Sequence, residues 1–295
     1  MISWIDPEIA GYVDGPGGRT WFRQNGCERS GPAIIGISGG PGMSHHYLMP
    51  LTAFSDRHPV VLYDQLDTGN SDRPGDKSNW TVGDFIDEIE RVRASLDLEA
   101  LILAGHSWGG LLAVEYALKF PVRTAGLILI SPLLDTKRWI ADVRELISEL
   151  PEYVQKLIAE GEAKENFTDP GYLHANDIFK STYGRRKTPK PPHHLRSNAL
   201  FNEALYSHMW GPSEFTVRGA LQSYSCLERL GQISQPVQFV CGEYDEARPD
   251  TLRDFAAMIP DATVSEIPDV AHSAFTEDEA AFLSEVRNFL NARFA

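Results

Sequence analysis

The sequence predicts an α/β protein, a mostly parallel and doubly wound sheet with a helical segment inserted between two of its strands. Three observations carry that expectation. Short β-rich apolar runs recur at AIIGIS (33–38), VVLYD (60–64), LILAG (101–105), LILIS (127–131) and VQFVCG (237–242). Most lack period-2 alternation, the pattern of strands buried on both faces of a parallel sheet. Helical patterns separate several of these runs, and from about 133 to 232 the rhythm breaks before the strand pattern resumes.

In chain order, VGDFIDEIERVRASL (82–96) and GLLAVEYALKF (110–120) have helical spacing and lie between strand-like runs. Alternation of this kind builds a doubly wound sheet. The region 133–232 is helix-rich, contains Trp139, Trp210 and many tyrosines, and holds the Pro- and Arg-rich stretch GRRKTPKPPHHLR (184–196). That stretch is expected to be a solvated loop, the usual fate of charged Pro-rich segments. An insertion between two strands is placed to form a lid over the strands' carboxyl ends, where ligands bind in such sheets. The expected division is therefore a core of residues 1–132 and 233–295 and a helical cap of 133–232. ATVSEI (262–267) reads as a further strand, and FTEDEAAFLSEVRNFLNARF (275–294) as a closing amphipathic helix.

A chain of 295 residues can form one large domain, or one domain with an insertion. A formal charge of −14 argues against a nucleic-acid or anionic-membrane partner and is compatible with a cationic substrate. Cys27, Cys226 and Cys241 are few and scattered, which is neither a disulfide framework nor a metal-ligand pattern and suits a reducing cytoplasm. The N-terminal residues lack the basic region and apolar core of a signal peptide. No apolar run approaches membrane-spanning length, and no internal repeat is present.

LILAGHSWGG sets Gly105-His106-Ser107-Trp108-Gly109 between an apolar strand and a helix. This is the G-x-S-x-G nucleophile elbow in its strand–turn–helix context, and it makes Ser107 the candidate nucleophile. A serine hydroxyl needs a general base, and the base needs an orienting acid. In this architecture the chain order is Ser, then Asp or Glu, then His. His272, in DVAHSAF, lies between ATVSEI and the closing helix and is the candidate base. Asp245, in GEYDEARP (242–249), follows a core strand where the acid belongs. His106 adjoins the nucleophile but is expected to point elsewhere on the sharp turn. His45 and His46 follow a Gly-rich loop and could face the site, and His193, His194 and His208 lie in the lid; a surface or packing role is the expectation for each. The oxyanion donors are expected from the Trp108 amide and from IIGISGGPG (34–42), with the Gly40 amide as second donor and Gly39 allowing close approach. This chemistry requires no cofactor and no metal.

These residues resemble the prolyl aminopeptidases (proline iminopeptidases) of the α/β-hydrolase superfamily, with their relatives the amino-acid amidases. The likeness spans nearly the whole chain, through GGPG (39–42), DQLDTGNS (64–71), GHSWGG (105–110), MWGPSEF (209–215), GEYDE (242–246) and AHSAF (271–275). The resemblance implies that Glu214 and Glu246 hold the substrate's free α-ammonium, and that Tyr206 and Trp210 shape the pocket. Two carboxylates facing one site repel, so one of them is expected to have a raised pKa. Glu243 is left a structural role at the strand end, hydrogen-bonded to nearby backbone. Three positions depart from the family pattern: Ser38 where His is common, Leu66 where Arg is frequent, and Asp67 where Gly is usual. Asp tolerates left-handed backbone, so the turn at 67 is expected to survive.

The implied activity is release of an N-terminal amino acid, proline or a small residue, from a peptide or aminoacyl amide. An amidase or aminoacyl hydrolase for a non-peptide metabolite uses the same machinery. A general carboxylesterase shares Ser107, Asp245 and His272 but needs no amine clamp. Oligomeric state is not encoded in these motifs.

Overall fold

A computed structural model of the chain describes residues 5–294. Its sheet is built from β1 (Ile9–Val13), β2 (Thr20–Asn25), β3 (Ala33–Ile37), β4 (Val60–Tyr63), β5 (Leu101–His106), β6 (Thr124–Ile130), β7 (Val237–Gly242) and β8 (Ala262–Ile267). The strand order is β1-β2-β4-β3-β5-β6-β7-β8. β2 is antiparallel to both β1 and β4, and every other pairing is parallel.

The central strands explain their own missing alternation. On β3, Ala33, Ile35 and Ile37 pack into one apolar cluster and Ile34 into another. On β5, Leu101 and Leu103 divide in the same way from Ile102 and Ala104. Both faces of the sheet are covered, so both sets of positions must be apolar. The first cluster includes helices α1 (Val82–Ser95) and α2 (Trp108–Lys119), and the second includes the 3₁₀ segment His45–Asp56.

Between β6 and β7 the chain forms α3 (Thr136–Glu149), α4 (Glu152–Ala163), α5 (Pro170–Phe179), α6 (Pro192–Ala199) and α7 (Glu203–Met209). This segment bonds to loops that follow strand carboxyl ends. Asn202 donates its amide N–H to the Gly42 carbonyl (3.1 Å) and its side-chain Nδ2–H to the Asp67 carbonyl (2.8 Å). The N–H groups of His272 and Ser273 donate to the carbonyls of Tyr183 (3.1 Å) and Gly184 (3.0 Å). The remaining helices are α8 (Pro249–Ala256), α9 (Ala274–Glu277) and α10 (Glu279–Arg293).

Three local expectations change. The β1–β2 hairpin lies in a stretch with no strong sequence signal, because β1 sits at the sheet edge with only Val13 buried. The closing helix is two helices, interrupted at Asp278, whose side chain accepts the Ala281 N–H (3.0 Å). The stretch 184–196 is not simply a solvated loop. Its end forms the first turns of α6, and His194 is buried. α6 is tied to the 3₁₀ segment through Ser197, whose hydroxyl donates to the Ser44 carbonyl (2.8 Å).

Candidate active site

Ser107 stands between β5 and α2 at φ 53°, ψ −116°, a backbone conformation that costs an L-residue roughly 1–3 kcal/mol and is held only by its surroundings. Backbone bonds to neighbouring segments hold it. The Ser107 N–H donates to the Ile130 carbonyl of β6 (2.9 Å), and α2 starts immediately afterwards. A Cβ on Gly109 would lie 2.2 Å from the Ile37 carbonyl oxygen, and one on Gly105 would lie 2.2 Å from the Gly109 carbonyl oxygen. Only glycine lets helix and strand approach that closely. The Ser107 side chain makes no capping bond to α2.

Asp245 and His272 are in contact: Nδ1 of the imidazole lies 2.8 Å from Oδ1 of the carboxylate. Asp245 is buried, and three further donors meet it. The Ala247 N–H reaches Oδ1 (2.8 Å), while the Ser131 hydroxyl (2.5 Å) and Gly242 N–H (3.2 Å) reach Oδ2. A buried carboxylate bonded on both oxygens is fixed in orientation, and with Nδ1 of His272 committed to it the remaining ring nitrogen is Nε2. His272 Nε2 lies 3.7 Å from Glu246 Oε1, and no hydrogen bond joins His272 to Ser107 among the described residues. The His106 and His272 ring centroids are 4.6 Å apart, which puts His272 beside the elbow.

In the 34–42 loop, the Gly39 N–H is committed to the Tyr47 hydroxyl oxygen (2.6 Å). Neither the Gly40 nor the Trp108 N–H donates to another backbone group. Gly40 has φ +110°, and a Cβ there would lie 2.7 Å from the Gly42 nitrogen, so the loop requires glycine. Ser38 closes the loop by donating its hydroxyl to the Met43 carbonyl (2.9 Å). Asp67 does adopt the left-handed region, φ 68°, and its carboxylate accepts from Trp80 Nε1 (2.7 Å) and the Gly75 N–H (2.8 Å). Leu66 is buried, and its N–H donates to Glu88 (2.9 Å).

Glu246 is buried and Glu214 half-buried. Burial, then the Glu214 charge, raises the Glu246 carboxyl well above its usual range. Burial disfavours charge on His272, but the charges of Asp245, Glu246 and Glu214 outweigh it and push the imidazole up to about 9. Tyr206 belongs to the same cluster: burial and the Glu214 charge push its phenol well above the ordinary value. Among the described residues, Glu246 Oε2 and Trp210 Nε1 are buried without a hydrogen-bond partner, and the Tyr206 phenol faces Glu214. Groups of this kind are costly unless a ligand satisfies them. Glu243 is separate and exposed, accepting the Asp269 N–H (2.9 Å).

Three side chains in the site were not identified from sequence. Ser131, at φ 46° after β6, bonds Asp245 across 114 positions. Gln65 joins the Ser38 carbonyl to the Trp108 indole. Trp139 packs edge-on to both Trp210 (5.9 Å) and His272 (5.7 Å), and its Nε1–H donates to the Glu214 carbonyl (3.2 Å). Of the other histidines, His106 does not have the packing role expected of it and lies in the site, its Nε2 3.0 Å from the His272 carbonyl oxygen. His45 bonds Asp64 (2.9 Å), His194 is held at about 3 mainly by burial, and His208 packs on Trp80 (5.4 Å). Among the described residues no three side chains group as metal ligands, and no helix is long and apolar enough to cross a membrane.

A family model described as alpha/beta hydrolase fold matches residues 32–279, and the chain belongs to that family. Within it the similarity to proline iminopeptidases runs nearly end to end. The chain is 33% identical over 283 residues to the proline iminopeptidase of Heyndrickxia coagulans, covering 96% of this chain and 98% of that protein. It superposes on the crystal structure of proline iminopeptidase from Mycobacterium smegmatis with TM-score 0.89 and 31% identity, over 97% of this chain and 98% of that one. It superposes on the crystal structure of VinJ with TM-score 0.92 and 29% identity, over 98% and 100% of the two chains. The relatives indicate a hydrolase of the α/β family.

Proposed function

We propose that this protein is a serine aminopeptidase that releases an N-terminal proline or small residue from a peptide or aminoacyl amide carrying a free amine. One observation carries the reading: buried Glu246, close to Glu214 and with an unpartnered oxygen, lies 3.7 Å from His272 Nε2. A cation-binding pocket adjoins the general base.

In the proposed reaction Ser107 Oγ attacks the first carbonyl carbon while His272 Nε2 takes its proton. The Gly40 and Trp108 amides stabilise the oxyanion. The tetrahedral adduct expels the leaving amine, which receives that proton from His272. Water, deprotonated by the same imidazole, then cleaves the acyl-enzyme and restores Ser107. Asp245 holds the imidazole in the required tautomer.

Glu214 and Glu246 bind the α-ammonium, and Tyr206 and Trp210 line its pocket. At about 4 Å and an effective dielectric near 20, each carboxylate attracts an ammonium by on the order of 4 kcal/mol before desolvation is subtracted. Clamping the amine also limits cleavage to the first residue. The 133–232 segment then acts as a cap over a core of 1–132 and 233–295. The free thiols of Cys27, Cys226 and Cys241 fit a cytoplasmic enzyme.

Aminoacyl p-nitroanilides with free and N-acetylated amines test the assignment. The free-amine forms are expected to have kcat/KM higher by at least about tenfold, since solvent screens the half-exposed Glu214 and weakens its share. Equal turnover of both forms would overturn amine recognition and favour the carboxylesterase reading. A panel of prolyl, alanyl and leucyl substrates, as peptides and as simple amides, ranks the first residue and the leaving group.

A further inference from the structure

The Ser38–Gly39 peptide precedes the proposed oxyanion donor Gly40, and it is gripped at both ends. Its carbonyl accepts Nε2–H of Gln65 (2.9 Å), and its N–H donates to the Tyr47 hydroxyl oxygen (2.6 Å). Both grips continue to the nucleophile elbow. Gln65 Oε1 accepts the indole Nε1–H of Trp108 (3.0 Å), the residue after Ser107. The Tyr47 hydroxyl lies 3.0 Å from Nδ1 of His106, the residue before Ser107.

The direction of each bond follows from donor chemistry. His106 Nε2 lies 3.0 Å from the His272 carbonyl oxygen, which can only accept, so Nε2 carries the proton. The imidazole is neutral, because burial and the neighbouring His272 hold its pKa well below the usual value. Nδ1 is therefore an acceptor and takes the Tyr47 O–H. The tyrosine oxygen in turn accepts from Gly39. Gln65, Tyr47 and His106 are all buried, so reversing any bond leaves a polar atom unpaired away from water.

We infer that Tyr47, His106 and Gln65 are positioning residues that clamp the Ser38–Gly39 peptide against the nucleophile elbow. They fix the Gly40 and Trp108 amides relative to each other, and His106 extends the clamp to the backbone of the proposed general base. Oxyanion donors are effective when they are already aimed before charge develops, and this clamp supplies that aim. The inference rests on the reading of Ser107 as nucleophile with Gly40 and Trp108 as donors.

The test uses Tyr47→Phe, which keeps the ring packed on Phe275 (5.4 Å) and removes only the hydroxyl, and Gln65→Met, which releases the other end. Labelling by an alkyl fluorophosphonate needs the nucleophile and its oxyanion donors but no amine recognition. Each variant is expected to label on the order of 10- to 100-fold more slowly than the parent. Where aminoacyl anilides are substrates, kcat should fall by a similar factor with KM little changed. A boronic-acid analogue of the tetrahedral adduct should lose affinity in parallel, while the free amino acid product should not. Circular dichroism and Tm identify a variant that fails to fold, and the other end of the clamp then decides. If the parent is not labelled, the serine-hydrolase reading itself fails. If the parent is labelled and folded variants label within twofold of it, only the clamp fails. A loss that falls equally on boronate and product would also overturn it, because it would mark general damage to the pocket.

Discussion

Ser107→Ala is expected to lower kcat by about 10⁴- to 10⁶-fold, the scale seen when the nucleophile of a serine hydrolase is removed. The variant keeps the elbow backbone, so its Tm should stay near that of the parent. Any residual rate would come from binding and the oxyanion donors alone. The size of the effect follows from the surroundings of His272. Its Nδ1 is committed to Asp245 and its ring is anchored beside the elbow. Among the histidines, the other ring close to Ser107 is His106, which is neutral and bonded at both nitrogens. Steady-state turnover of parent and variant at equal concentrations of folded protein gives the comparison. A folded alanine variant within tenfold of the parent would exclude Ser107 as the nucleophile.

The second large effect concerns Glu246. Glu246→Gln is expected to reduce kcat/KM for free-amine substrates by on the order of 10²- to 10³-fold, because it removes one partner of a buried charge pair. Turnover of N-acetylated esters should change far less.

The same variant should move the pH profile. His272 must be neutral to accept the serine proton, and its neighbours' charges push it up to about 9. The acid limb of kcat/KM in the free enzyme should therefore lie above the ~6.5 of an ordinary histidine, with rate lost as pH falls through it. Removing the Glu246 charge should shift that limb downward. An unshifted limb, or equal losses on free and acetylated substrates, would detach Glu246 from both roles.

The parts of the fold that were legible owe it to burial. β3 and β5 are enclosed on both faces, and their apolar runs leave no other placement. The hairpin at the edge has only one buried residue on β1 and left no such mark. In the proposed site, the elbow and the acid–base order are local motifs with fixed chain order, so Ser107, Asp245 and His272 stand out in the sequence as candidates. GEYDE held three acids, and their environments separate them: Asp245 buried and bonded on both oxygens, Glu246 buried beside Glu214, Glu243 exposed on a backbone amide. Ser131, Gln65 and Tyr47 gave no signal, because a lone Ser, Gln or Tyr acquires its role only from partners brought in by the fold. α6 was missed for a different reason: the charged, Pro-rich stretch before it looks solvated, although His194 packs inward.

The unpartnered buried atoms on Glu246 and Trp210, two of several among the described residues, connect this pocket to the stability of the whole molecule. In the proposed reading an ammonium satisfies the Glu246 carboxylate, while the Trp210 indole N–H, a donor, needs an acceptor such as the carboxylate of a free amino acid. A ligand that binds only the native state adds stability as RT ln(1 + [L]/Kd), about 2.7 kcal/mol at a hundred times Kd. The melting temperature thus becomes a gauge of pocket occupancy, independent of catalysis. Free amino acids, the proposed products, ranked by the few degrees they add to the parent or to Ser107→Ala, would show which first residue the pocket holds best.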